Sequence, residues 1–171
     1  MKQLKDIKTI CNLGCGTMGF GTAIAFAQNG YNVNMYGRKD ASIERATKNI
    51  NFTLNVMVEN NLLTEVGAKE VLSRIHGVTT LKDAAHNADF VIESVAEELS
   101  IKQSVYKEME EYLGEDVIFA TDSSGLSPTA VAAALKHPER FVVAHFWNPP
   151  HLIPLVEVVP GEKTSQEVVD I

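Results

Sequence analysis

Two side chains near the end of the chain are of types that do chemistry together. In HFWNPPHLIPLVEVV, residues 145 to 159, His145 closes one apolar run, the chain turns through Pro149, Pro150 and Pro154, and Glu157 stands inside a second apolar run. An ionised carboxylate among apolar neighbours is costly unless it has a partner. His145 is the nearest group with suitable chemistry. A carboxylate on one imidazole nitrogen fixes the tautomer and stabilises the imidazolium, which leaves the other nitrogen free to take a proton. His151 is the rival base, but it follows two prolines in a connection. His76, His86 and His137 read as loop or surface histidines.

A second group of residues binds rather than reacts. GCGTMG, residues 14 to 19, follows an apolar strand and opens a helical stretch that runs on through AIAFAQ. In that position Gly14 permits a tight turn, Gly16 lets a pyrophosphate approach the backbone, and Gly19 lets helix and strand pack closely. The helix N-terminus then attracts the phosphates. At the end of the next strand, where an acidic side chain would hold the ribose hydroxyls of NAD, the sequence reads NMYGRKD. Gly37 stands where the acid is expected, and Arg38 and Lys39 follow. An arginine there can accommodate the 2′-phosphate of NADP, so NAD and NADP both stay open.

These groups need a scaffold, and the hydrophobic pattern supplies one. Apolar runs at Thr9 to Leu13, Asn32 to Tyr36, Ile75 to Val78, Phe90 to Ser94, Val117 to Ala120, Phe141 to His145 and Leu155 to Val159 read as strands. Between them, helical periods span Met18 to Gln28, Ala41 to Asn60, Thr64 to Arg74, Leu99 to Leu113 and Pro128 to Leu135. The alternation predicts an α/β fold of Rossmann type, a doubly wound and mostly parallel sheet, with residues 1–171 forming one dinucleotide-binding domain. Ligands of such sheets bind beyond the carboxyl ends of the strands, and Glu97, Ser123, Ser124 and His145 all fall at or just past such ends. Asn12 puts an amide into a central strand that should be almost wholly apolar, and nothing in the sequence accounts for it. The closing TSQEVVDI begins like a capped helix and stops after a turn or two, too short to be stable alone.

Composition narrows the function. With 15 Lys and Arg against 22 Asp and Glu among 171 residues, the chain carries a net charge of -7, and no basic run could neutralise a phosphate backbone, so nucleic acid is not expected as a partner. No apolar stretch approaches the roughly 20 residues of a membrane span, and the expected location is the cytoplasm. Cys11 and Cys15 lack the spacing of a CxxC pair and read as small apolar residues, so neither a disulfide framework nor a metal site is expected.

GCGTMGFGTA, VIESVAEELSIKQSVYKEM, TDSSGLSP and HFWNPPHLIPLVEVV occur in this order, and together they resemble the N-terminal domain of the 3-hydroxyacyl-CoA dehydrogenase family across nearly the whole chain. NPPHLIPLVEVVP and SSGLSP look most like the branch containing lambda-crystallin, whose members act on small 3-hydroxy acids such as L-gulonate. The resemblance implies an oxidoreductase moving a hydride between the 3-hydroxyl carbon of a substrate and NAD or NADP. His145 would be the general base and Glu157 the residue that orients it. Ser124 would hydrogen-bond the reacting oxygen, with Ser123 as the alternative because Gly125 shifts the spacing. The cofactor would rest on Gly14, Cys15, Gly16, Thr17, Met18, Gly19, Gly37, Arg38, Ala96, Glu97, Lys102 and Asn148. The resemblance also implies a second, mostly helical domain that closes the site and forms a homodimer, which this chain does not encode. A CoA thioester needs cations for its phosphates, and the helix from Ala41 offers only Arg45 and Lys48, so a free hydroxy acid is the alternative substrate. A cofactor-binding structural protein is the alternative of a different class, though such a protein would need neither His145 nor Glu157.

Overall fold

The computed structural model describes residues 3–171. Strands β1 (Thr9–Leu13), β2 (Asn32–Tyr36), β3 (Ile75–Val78), β4 (Phe90–Glu93), β5 (Ile118–Thr121), β6 (Phe141–Phe146) and β7 (Val156–Pro160) form one sheet. Their order is β3-β2-β1-β4-β5-β6-β7. Every neighbouring pair is parallel except β6 with β7. The longer helices are α1 (Thr17–Gln28), α2 (Asp40–Glu59), α3 (Glu65–Ser73) and α5 (Leu99–Met109). Three short ones join them: α4 (Leu81–Ala84), α6 (Pro128–Ala132) and α7 (Gln166–Asp170).

The expected doubly wound α/β sheet is therefore present, with element ends shifted by a few residues. Helix α5 stops at Met109 rather than Leu113, and the carboxylate of the next residue, Glu110, is buried against the Arg140 guanidinium at 3.1 Å. Helix α4 was not foreseen, because four residues carry no readable helical period. It is held by the Thr80 hydroxyl, which accepts from the Asp83 amide at 3.1 Å.

Period-two alternation along β1 divides the core into two layers. Ile10 joins Ile24, Val33, Met35, Ile50 and Ile92 on one face, while Cys11 and Leu13 join Tyr106, Met109, Phe119 and Phe141 on the other. The closing residues pack as well: Ser165 caps α7 and Val168 is buried in the first layer.

Asn12 is also fully buried, and the structure explains it. Its amide nitrogen donates to the carbonyls of Gly14 at 2.9 Å and Gly19 at 3.0 Å, and its amide oxygen accepts from the Thr22 hydroxyl at 2.8 Å. One side chain thus ties strand, glycine turn and helix together. Glycine is required around it: Gly14 has φ +116°, and a Cβ on Gly19 would collide with the Gly14 carbonyl. Replacing Asn12 by Leu removes the amide donor from both carbonyls and leaves the Thr22 hydroxyl only the Met18 and Gly19 carbonyls of its own helix. Urea denaturation is expected to show a loss of about 1–3 kcal/mol, and unchanged stability would contradict the clamp.

Candidate active site

The carboxyl ends of β1, β2 and β4 open onto a cleft of about 410 Å³, lined by Gly14, Cys15, Gly16, Tyr36, Gly37, Arg38, Ser42, Ser94, Val95, Ala96, Ile101 and Val105. The Gly14 amide donates to the Tyr36 carbonyl at 3.2 Å and so fastens the glycine turn to the end of β2. At Gly16, the N-cap of α1, a Cβ would meet nothing within 4 Å, and no side chain caps the helix. The first-turn amides of a 12-residue helix are thus left for an outside acceptor. An open backbone cradle at a helix N-terminus fits a pyrophosphate. Of the expected cofactor residues, Gly14, Cys15, Gly16, Gly37, Arg38 and Ala96 line this cleft. Gly19 is buried behind it, Thr17 and Asn148 are exposed, and Met18 is half-buried.

Lys102 is not the surface residue that its charge suggests. It is 1% exposed, with its ammonium 2.7 Å from Glu93 and 3.1 Å from Glu97. Glu93 ends β4 with no exposure at all. It also accepts from the Val95 amide at 2.6 Å and the Thr121 hydroxyl at 2.7 Å. A buried carboxylate is tolerated when every acceptor site is occupied in this way. Glu97, about half exposed, accepts a short hydrogen bond from the Ser123 hydroxyl. Burial pushes the Glu97 carboxyl up, but Ser123 and Lys102 outweigh it and hold the carboxyl below its usual value. Ser123 is buried in these contacts, whereas Ser124 is exposed at the turn.

Strand β7 runs back antiparallel along β6 and sets His145 directly opposite Glu157. The imidazole Nδ1 lies 2.8 Å from Glu157 Oε2. An ionised carboxylate only accepts, so Nδ1 carries the hydrogen and Nε2 is left as the basic nitrogen. The premise that Glu157 is buried needs correction: its side chain is 52% exposed, because every residue of the edge strand β7 is exposed. Cross-strand register, not desolvation, makes the pair. His151, the rival base, has a buried Nδ1 with no hydrogen-bond partner, and burial lowers its pKa.

A third carboxylate escaped the sequence reading. Asp122, 9% exposed just past β5, accepts from the Phe146 amide at 2.7 Å and so pins the residue after His145. Burial pushes its carboxyl from 3.8 up to about 6, against the opposing pull of the Phe146 amide and the His145 charge. Ser42, Ser94, Ile101 and Val105 in the cleft were likewise missed. Only the fold brings them together, and no spacing rule marks them. Among the described residues no cluster of three or more His, Cys, Asp or Glu side chains is placed to hold a metal ion.

A parallel sheet with a glycine turn opening onto a phosphate-sized cradle defines a dinucleotide-binding domain. Comparison with known proteins goes further. The model of the 3-hydroxyacyl-CoA dehydrogenase NAD-binding domain matches residues 9–171. The chain is 38% identical over 164 residues to the 5-formyl-3-hydroxy-2-methylpyridine 4-carboxylate 5-dehydrogenase of Mesorhizobium japonicum, covering 95% of the chain and 52% of that protein. It is 38% identical over 168 residues to the fatty acid oxidation complex subunit alpha of Pseudomonas syringae, covering 98% of the chain and 23% of that protein. The crystal structure of 3-hydroxybutyryl-CoA dehydrogenase from Escherichia coli K12 matches with a TM-score of 0.92 at 36% identity, over 96% of this chain and 34% of that one. The chain belongs to the 3-hydroxyacyl-CoA dehydrogenase family, as its NAD-binding domain, and spans about half or less of the length of these relatives.

The Asp122 shift gives a signed prediction. A carboxyl raised in the folded state binds more protons there than in the unfolded chain between about pH 4 and 6, so it removes stability as pH rises through that window. Asp122→Asn keeps an acceptor for the Phe146 amide without the charge. The variant is expected to gain roughly 1–3 kcal/mol at pH 7.5 and nothing near pH 4. A pH-independent difference in urea denaturation would count against the shift.

Proposed function

We propose that this chain is the cofactor-binding and base-carrying part of an oxidoreductase that moves a hydride between the 3-hydroxyl carbon of a 3-hydroxyacyl substrate and NAD or NADP. The observation that carries this reading is the His145–Glu157 pair, held at 2.8 Å towards the same carboxyl end of the parallel strands as the glycine cleft. The nicotinamide, when bound, takes up the hydride. The chain's own residues handle the proton: His145 Nε2 accepts it from the substrate hydroxyl, and Glu157 stabilises the imidazolium that results. Ser124, exposed beside the dyad's strand, hydrogen-bonds the reacting oxygen. Ser123 instead holds Glu97, which the buried Lys102 also binds, so these two expected cofactor residues stand beside the cleft rather than in its lining. Asn148 faces the nicotinamide side from the turn after β6.

Trp147, Leu152, Leu155, Val156, Val158 and Val159 expose apolar surface around the dyad and along β7. Monomeric proteins rarely leave such a patch open. This supports a second domain covering the site in the whole enzyme, which we take to be a homodimer of the cytoplasm; no helix among the described residues is long and apolar enough to cross a membrane. A 3-hydroxyacyl-CoA is the substrate we favour. A small free 3-hydroxy acid is the second reading, because α2 offers only Arg45 and Lys48 to the phosphates of CoA.

In the complete enzyme, His145→Gln is expected to lower kcat by about 10²–10⁴ while cofactor affinity is retained. Glu157→Gln is expected to fall in the same direction, and the double variant to lose far less than the product of the two. Turnover near wild type in His145→Gln would refute the assignment.

A further inference from the structure

The far end of the cleft, beyond the glycine turn, carries more information than dinucleotide binding requires. The corner after β2 is where an acidic side chain would accept hydrogen bonds from the 2′- and 3′-hydroxyls of an adenosine ribose. Here that position is Gly37. Its backbone is held, since its amide donates to the Val78 carbonyl at 3.0 Å. A Cβ at Gly37 would stand 2.6 Å from Cys15 Sγ and 2.9 Å from Ile43 Cδ1. The space for a carboxylate is therefore already filled by a thiol and a methyl group.

What lines the cleft instead is a set of donors. Arg38 and Ser42 both line it, and no carboxylate is among its lining residues. Arg38 is exposed and makes no ion pair with any described residue, so its five N–H donors are free for a ligand. Lys39 and Arg45 stand within the same turn and helix start, and the charge of Arg45 reaches the Cys15 thiol on the cleft wall. Asp40 and Glu44 are the acids nearest in sequence; both are exposed and neither lines the cleft. In a chain whose net charge is -7, three cations gather at this corner, with the charge of Glu108 reaching Tyr36 on the cleft wall.

Facing a 2′-hydroxyl, the guanidinium can only donate and leaves most of its donors unused, and the Ser42 hydroxyl is the one group of the two that could accept. Facing a 2′-phosphate, the same groups meet three acceptor oxygens and a dianion. We propose that the cleft selects a nicotinamide dinucleotide carrying a 2′-phosphate over one with a free 2′-hydroxyl, with Arg38 and Ser42 as the residues that receive the phosphate. The proposal rests on the dinucleotide reading of the cleft and specifies its cofactor.

Isothermal titration of the 171-residue chain with NADPH, NADH, 2′,5′-ADP and 5′-AMP tests it without any need for turnover. NADPH is expected to bind roughly tenfold or more tighter than NADH, and 2′,5′-ADP tighter than 5′-AMP by a similar factor, the scale of a charge-assisted contact. Arg38→Ala is expected to erase most of that preference while leaving NADH within about twofold, and Ser42→Ala to reduce it less. Equal or tighter binding of NADH, or an equal loss of both cofactors in Arg38→Ala, would overturn the proposal and leave the dinucleotide reading standing. Failure of both dinucleotides to bind would overturn that reading and the proposal with it.

Discussion

The register between β6 and β7 is the constraint on which the chemistry depends. Side chains on a strand alternate between faces, so a slip of one residue would carry Glu157 to the opposite side of the sheet from His145. Among the described residues β7 is the one antiparallel strand, at the edge of the sheet, and it is exposed along its whole length. Its position is fixed by its ladder to β6 and by the turn between them. That turn is pinned twice. Asp122 holds the Phe146 amide from the neighbouring loop, and Pro150 packs against α1 at Gly21, where a Cβ would come within 2.7 Å of its ring. The helix that starts at the glycine cradle is thus also the surface on which the turn beside the dyad rests.

Buried polar groups hold the other half of the site in the same manner. Asn12 ties the glycine turn to strand and helix, and Glu93 ties β4, β5 and α5 to one another through Val95, Thr121 and Lys102. Such groups are expensive to leave unpaired, and fully paired they permit only one arrangement. The cleft walls are therefore set before a ligand arrives, which lowers the cost of ordering them on binding.

The elements of the sheet could be read from the sequence because apolar runs and helical periods alternate without interruption. The glycine turn and the His145–Glu157 pair could be read because turn residues and titratable groups stand out against apolar strands. What could not be read depends on tertiary neighbours. Glu93 and Lys102 are nine positions apart on a strand and a helix, and nothing in VIESVAEELSIK shows that the lysine turns inward. Asn12 looked like an anomaly because its partners are two backbone carbonyls and a threonine a helical stretch away. Asp122 escaped notice because its partner, the Phe146 amide, lies 24 positions away on another strand. Glu157 was paired correctly for a partly mistaken reason, since an edge strand exposes residues that an apolar sequence suggests are buried.

The central claim is that Glu157 holds His145 with the hydrogen on Nδ1 and leaves Nε2 as the base. Long-range ¹H–¹⁵N correlation spectra of the imidazole, recorded on uniformly ¹⁵N-labelled chain at a pH where the ring is neutral, read this directly. The account predicts a single dominant Nδ1–H tautomer for His145, lost in favour of an ordinary mixture in Glu157→Gln. A dominant Nε2–H tautomer in the unaltered chain, or a spectrum that does not respond to Glu157→Gln, would contradict it.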